Sequence, residues 1–153
     1  MNRFTYPVLS YRVVDGDTVA VVIDLGFGLK MDQSVRIGGI DTPEKRTRNI
    51  PEKNAGLVAT CATTAWLNER FGGDDDALMV VSTALDKYGG RIIGDLFVLG
   101  YDSNEDQTLG EHLLAQGYAR EYEGGKKKAW TLKTLKGMVK KGLAEWPGIE
   151  LVK

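Results

Sequence analysis

The sequence contains one cysteine, Cys61, and one histidine, His112. A lone cysteine permits no intrachain disulfide, and the two residues together cannot assemble a Cys/His zinc cage. Catalytic triads built on Ser-His or Cys-His, and hydrolytic sites that depend on histidine, are disfavoured on the same count. An excess of charge of either sign is missing too: the formal net charge is −1, which argues mildly against a nucleic-acid partner, since domains that bind one tend to be basic overall. No stretch approaches the ~20 consecutive apolar residues of a membrane span. The segment from Met1 to Leu9 lacks the roughly 7–15-residue apolar run of a signal peptide, so the expectation is a cytoplasmic protein without a membrane partner. Internal repeats and low-complexity segments are also lacking. Chemistry therefore falls to carboxylates, arginines, hydroxyls or an oxygen-ligated metal.

What is present suits one compact domain spanning residues 1–153, with 42% apolar and 27% charged residues and enough Val, Ile and Leu for a core. The balanced charge hides an asymmetry. Between Arg120 and Leu143 stand eight Lys or Arg and only two acids, Glu121 and Glu123. Such a local field attracts phosphate even where the total charge does not.

Branched apolar residues from Val8 to Leu25, interrupted by Asp15-Gly16-Asp17, predict two strands around a tight turn. Leu25-Gly26-Phe27-Gly28 marks a further turn, and Val35 to Ile40 predicts a third strand ended by Thr42-Pro43. A helix is expected from Pro51, placed as a first helical residue, to Phe71, with Gly72-Gly73 stopping it. Its apolar residues Leu57, Val58, Cys61, Ala62, Ala65 and Trp66 recur at helical steps. Leu78–Leu85 and Arg91–Leu99 predict two more strands. Thr108-Leu109-Gly110-Glu111 is a capping box opening a short helix to Gly117. A last helix is expected from Ala129 to Trp146, with Leu132, Leu135, Val139, Leu143 and Trp146 on one face and lysines opposite. Periodicity supports an α+β class. Five short strands with a helix after the third match a small Greek-key barrel, the OB-fold, here with about three helices.

Three segments concentrate polar residues at strand ends: Asp15-Gly16-Asp17-Thr18, Arg36 to Glu44 with Asp41-Thr42-Pro43 inside it, and Asp86-Lys87-Tyr88-Gly89-Gly90-Arg91. Each alone has an ordinary reading: a solvated hairpin turn, a surface arginine before a loop, a glycine-rich turn. All three in this order, with five residues from Arg36 to Asp41, are far more specific. Together they resemble the staphylococcal nuclease family, which shows D-G-D-T, R-x-x-x-x-D-T-P-E and D-K-Y-G-R in that sequence. The likeness continues through Leu109 to Ala119 and covers roughly residues 8–146.

The resemblance implies a calcium-dependent nuclease that hydrolyses DNA and RNA and leaves 3′-phosphates. Asp17 and Asp41 match the family's calcium carboxylates, Thr42 a backbone-carbonyl ligand, and Asp15 an acid that holds metal-bound water. Glu44 matches the residue proposed as general base. Arg36 and Arg91 match the phosphate-binding arginines, and Lys87 and Tyr88 the substrate contacts beside them. Tyr122 is the aromatic residue that follows the second helix. A phosphodiester repels hydroxide, and an enzyme must remove on the order of 20 kcal/mol of barrier. A hard cation, two guanidiniums and a carboxylate can share that task without histidine.

The chain departs from the family at Gly89-Gly90, where one extra glycine precedes Arg91. Aligning Gly90-Arg91 with the family's Gly-Arg keeps Ile92, Leu96 and Val98 on one strand face and sends Arg91 to the pocket of Arg36. An OB groove suits single-stranded substrate, and a monomer is expected. His112 and Cys61 read as structural residues and the three tryptophans as packing residues. The alternative function is a catalytically weak or inactive OB-fold module that binds nucleic acid.

Overall fold

Val19, Val21 and Ile23 are buried while Ala20 and Val22 between them are half-buried, the two-residue period of a strand with one face in a core. In the computed structural model, which describes residues 4–71, 77–99 and 107–153, this strand is β2 (Thr18–Gly26). It lies between β1 (Thr5–Asp15) and β3 (Leu29–Ile37), antiparallel to both. After β4 (Ile40–Asp41) and α1 (Ile50–Arg70), β5 (Ala77–Leu85) and β6 (Ile92–Leu99) form a second antiparallel pair. β5 pairs with β1, and β6 runs parallel to β3, closing the barrel in the order β1-β2-β3-β6-β5. That closed five-stranded barrel with a helix after the third long strand is the OB-fold, as the sequence predicts.

The third strand begins six residues earlier than expected. Leu29–Asp32 are exposed and pair only with β2, so this part of the ribbon projects from the barrel and shows no alternation of buried apolar residues. Only Val35–Ile37, where β6 joins, carry the buried pattern.

α1 starts at Ile50, one residue before Pro51, because Asn49 caps it by accepting the Glu52 N–H at 3.1 Å. Its buried face is Ala55, Val58, Ala59, Ala62, Thr63, Trp66 and Leu67. Leu57, Cys61 and Ala65 stand at its margin, half-buried. The predicted stop at Gly72-Gly73 lies outside the described residues. α2 (Leu109–Ala115) has the predicted capping box at Thr108 and Glu111. It is followed by β7 (Arg120–Glu121), which pairs with β4.

The last helix, α3 (Leu132–Glu145), is shorter than expected, since Thr131 caps it by accepting the Thr134 N–H. Its packed face also differs. Leu135, Met138 and Gly142 are buried against α1, whereas Leu132 and Leu143 are exposed. Gly142 sits where a methyl group would meet the Val58 side chain at 2.4 Å, so the helices approach closely there and the contact face rotates toward it. Among the described residues no helix is long and apolar enough to cross a membrane.

Candidate active site

The start of β2, the end of β3 and the short β4 meet over α1. The turn between β1 and β2 is tied down by Thr63 Oγ1, which donates to the Gly16 carbonyl at 2.6 Å. The Ile37 N–H donates to the Asp17 carbonyl at 2.8 Å, locking β3 to the first residues after that turn. Asp17 thereby points its carboxylate at β4. Its Oδ1 accepts from Thr18 Oγ1 at 3.0 Å, and its Oδ2 accepts the Thr42 N–H at 3.2 Å.

Arg36 spans the two acids. Its guanidinium lies 3.2 Å from Asp17 Oδ2 and 3.9 Å from Asp41 Oδ1, and also donates to the Ile37 carbonyl at 3.1 Å. Asp41 is 1% exposed. A carboxylate so deep must be paired, and three cations serve it. Arg120, its cross-strand partner on β7, grips Oδ2 with Nε at 3.1 Å and a terminal nitrogen at 2.9 Å. Lys127 Nζ stands 2.8 Å from Oδ1, and Arg36 faces the same oxygen. Arg120 is itself held by the Lys128 carbonyl at 2.6 Å and lies 3.8 Å from the centre of the Trp130 ring.

Asp15, at the end of β1, and Glu44, in the loop after β4, approach this cluster. Asp15 Oδ1 is buried and has no hydrogen-bond partner among the described residues. Burial, and then the charge of Glu44, push the Asp15 carboxyl above its ordinary range, while Arg46 and Lys45 oppose the rise. Glu44 is exposed and accepts the Arg46 N–H at 2.8 Å. Its loop lies directly on α1 at Gly56, where a Cβ would come within 2.6 Å of the Lys45 nitrogen and 2.8 Å of the Pro43 carbonyl oxygen. Tyr122 donates its N–H to the Gly39 carbonyl at 2.9 Å and, with Arg36, Ile37, Ile40 and Ile93, lines a cleft of about 250 Å³.

Arg91, Lys87 and Tyr88 stand on the turn before β6. Ile92, Gly94 and Leu96 face inward and Ile93 pairs with Arg36 on β3, so the extra glycine does not reverse the strand. It is absorbed locally: Gly89 takes φ +69°, and Asp86 accepts N–H groups from Tyr88 at 3.0 Å and Gly90 at 3.2 Å. The same carboxylate holds Arg91 Nε at 3.0 Å. Arg91 thus forms an ion pair with Asp86 within its own turn, one residue before the strand that pairs with Arg36. Tyr88 is 79% exposed, with the Lys87 ammonium 5.1 Å from its ring centre.

Arg120, Lys127 and Trp130 were not singled out as site residues by sequence. Arg120 carried one signal, its place directly after the helix exit at Tyr118-Ala119. Lys127 was hidden in a lysine run. Trp130 packs, as expected, but it packs on the arginine that grips Asp41. His112 is half-buried, and burial followed by the charge of Arg70 lowers its pKa, consistent with a structural residue.

Asp17, Asp41 and the unpartnered Asp15 oxygen are carboxylates, a donor chemistry that fits a hard cation. Among the described residues no group of three or more His, Cys, Asp or Glu is arranged to hold a metal.

A closed five-stranded barrel with two buried carboxylates bridged by an arginine at a strand end defines an OB-fold protein with an acid–arginine site. The family model for staphylococcal nuclease homologues matches residues 34–141, and the chain belongs to that family. The match takes in Arg36, Asp41, Thr42, Glu44, Lys87, Tyr88, Arg91 and Tyr122, while Asp15 and Asp17 precede it. No curated protein gives a significant match.

Proposed function

We propose that this chain is a calcium-dependent phosphodiesterase acting on DNA and RNA, with single strands preferred and 3′-phosphate products. The observation that carries the reading is the single guanidinium of Arg36 set between Asp17 and Asp41, both buried, in a chain of this family. An arginine so placed has nitrogen donors beside a cation-binding pair of acids, which suits an anion bound to both.

Asp17, Asp41 and the Thr42 carbonyl would hold the calcium, which would supply Lewis-acid neutralisation of a phosphate oxygen. Arg36 binds a second phosphate oxygen and strengthens its grip as charge grows on the five-coordinate phosphorus. Glu44, exposed at the mouth, orients the attacking water and accepts its proton. The P–O5′ bond breaks and the 5′-oxygen leaves with a proton drawn from solvent. Arg91 reaches a phosphate oxygen once it exchanges Asp86 for the substrate. Lys87 and Tyr88 contact the neighbouring nucleotides, and Tyr122 offers its ring beside the cleft next to Arg36.

The test is cleavage of plasmid, single-stranded DNA and RNA by purified protein with calcium, with magnesium and with chelator. Calcium-dependent cleavage that stops on chelation is expected, and chelator-resistant cleavage refutes the metal assignment. The engagement of both arginines by the protein's own acids favours a second reading, an inactive binding module. Retention of single-stranded DNA with no cleavage under any metal condition would select it.

A further inference from the structure

In the ion pairs at Asp17 and Asp41 the cations outnumber the carboxylates, with Asp15 and Glu44 standing outside those pairs among the described residues. Asp17 and Asp41 bring two negative charges, while Arg36, Arg120 and Lys127 bring three positive ones. Adding a divalent cation to that set places like charges within a few ångströms of one another, at a cost water cannot screen around a buried carboxylate. One of the three must withdraw, and they are not equally free to do so. Arg36 is anchored by Asp17 and the Ile37 carbonyl. Arg120 is anchored by two contacts to Asp41 Oδ2, by the Lys128 carbonyl and by the Trp130 ring. Lys127 has a half-exposed side chain, and among the described residues its ammonium has, beyond Asp41, only the Tyr122 ring, 5.4 Å from its centre. It sits on Oδ1, the oxygen that Arg120 leaves open.

We propose that Lys127 is the resident counter-ion of the empty site: its ammonium occupies the Asp41 oxygen that the metal takes, and it leaves when the metal binds. Lys127 thus sets the metal affinity of the site as a positioning residue, without itself touching the reacting atoms. The inference rests on the calcium reading above. Lysine suits such an exchange because its flexible stem carries the charge into solvent at small cost, whereas the forked, stacked Arg120 stays and keeps Asp41 oriented. Removing Lys127 deletes a competitor for the cation but also deletes a partner of a buried carboxylate. Calcium affinity and calcium-free stability therefore move in opposite directions, which a merely structural role would not produce.

The experiment is isothermal titration of the full chain with calcium chloride, for wild type, Lys127→Met and Lys127→Arg, with thermal melts of each protein in chelator. Lys127→Met is expected to bind calcium roughly three- to tenfold more tightly, the scale of losing one partly exposed ion pair, and to melt lower in chelator. Lys127→Arg is expected to restore the wild-type affinity or weaken it. In wild type, calcium should also speed acetylation of Lys127, read by mass spectrometry against Lys133 as internal control. Equal or weaker calcium binding by a folded Lys127→Met protein overturns this proposal alone. Absence of calcium binding in all three proteins overturns it together with the calcium reading.

Discussion

Arg36 and Arg120 lie on either side of one carboxylate and are expected to fail differently. Arg36 faces both acids and the cleft, and its planar fork can hold two phosphate oxygens, which an ammonium cannot. Arg36→Lys should therefore lower turnover by roughly a hundredfold, the scale seen on losing a charge-stabilising donor, with an unchanged circular dichroism spectrum. Near-wild-type kinetics would remove Arg36 from the site. Arg120 instead buries its charge on Asp41 beneath Trp130. Arg120→Ala leaves an acid at 1% exposure short of its best partner, and urea denaturation in chelator should show a loss of about 1–3 kcal/mol. The fully buried limit is not reached, because Lys127 and Arg36 remain on the other oxygen. A stability within error of wild type would show that those two cations suffice.

Among the elements, two local contacts carry testable consequences. The loop bearing Glu44 is pressed against α1 at Gly56, where any side chain would strike the backbone of Pro43, Glu44 and Lys45. Gly56→Ala should push that loop off the helix, lowering turnover and stability together despite alanine's better helix propensity of about 1 kcal/mol. A more stable and fully active variant would refute the close approach. The second contact is Asp95 on β6, which ties the barrel to α2 by accepting from Thr108 Oγ1 at 2.6 Å and from the Gly110 N–H at 3.1 Å. Burial raises its carboxyl above the ordinary value of 3.8, outweighing the hydrogen bonds that lower it. A raised folded-state pKa means that the folded protein holds the proton more tightly. This contribution is full below the unfolded value and is lost as pH rises through the folded one. Wild type should therefore lose stability relative to Asp95→Asn as pH rises above the ordinary carboxylate range of roughly 4, read as the difference between their urea midpoints. A pH-independent difference would show that Asp95 ionises in the fold as it does in the unfolded chain.

These same elements show why some of the molecule could be read from sequence and some could not. Where one face is buried, as at Val19, Val21 and Ile23 or at Ile92 and Leu96, alternation exposes the strand and its phase. It also anticipated that an extra glycine would be taken up in the turn rather than flip β6. The projecting part of β3 was missed because it touches only β2, and water on both sides imposes no pattern. Caps decide the starts of α1 and α3, at Asn49 and Thr131, and the apolar period carries no trace of them. Motif spacing pointed to Asp17, Arg36 and Asp41 because strand ends close in the fold carry them. It was silent on Arg120 and Lys127, which arrive from 79 and 86 positions further along the chain than Asp41, and on Asp86, whose claim on Arg91 depends on side-chain direction within a turn.

At the scale of the whole molecule the question is how a chain of net charge −1 attracts a polyanion. Charge must act locally, and the structure puts the basic run Lys126-Lys127-Lys128 beside the candidate site, since Lys127 touches Asp41 and the Lys128 carbonyl holds Arg120. Lys126 and Lys128 have exposed side chains in that segment, so a strand lying across Arg36 would pass within their field. Each phosphate neutralised on a single strand contributes about −0.7 to the slope of log affinity against log salt. Replacing both lysines with glutamine should therefore make the slope shallower by roughly 1.4, measured by fluorescence anisotropy with labelled single-stranded DNA in calcium and a cleavage-resistant backbone. Turnover at saturating substrate should change little, because neither side chain reaches the acids. Lys133, Lys136 and Lys140 form an exposed ridge on α3 and supply the comparison: the matching substitution of those three leaves the slope unchanged if that ridge serves only solvation. An unchanged slope in the Lys126/Lys128 variant, with a shallower one in the α3 variant, would move the path of the strand from the Asp41 segment to the last helix.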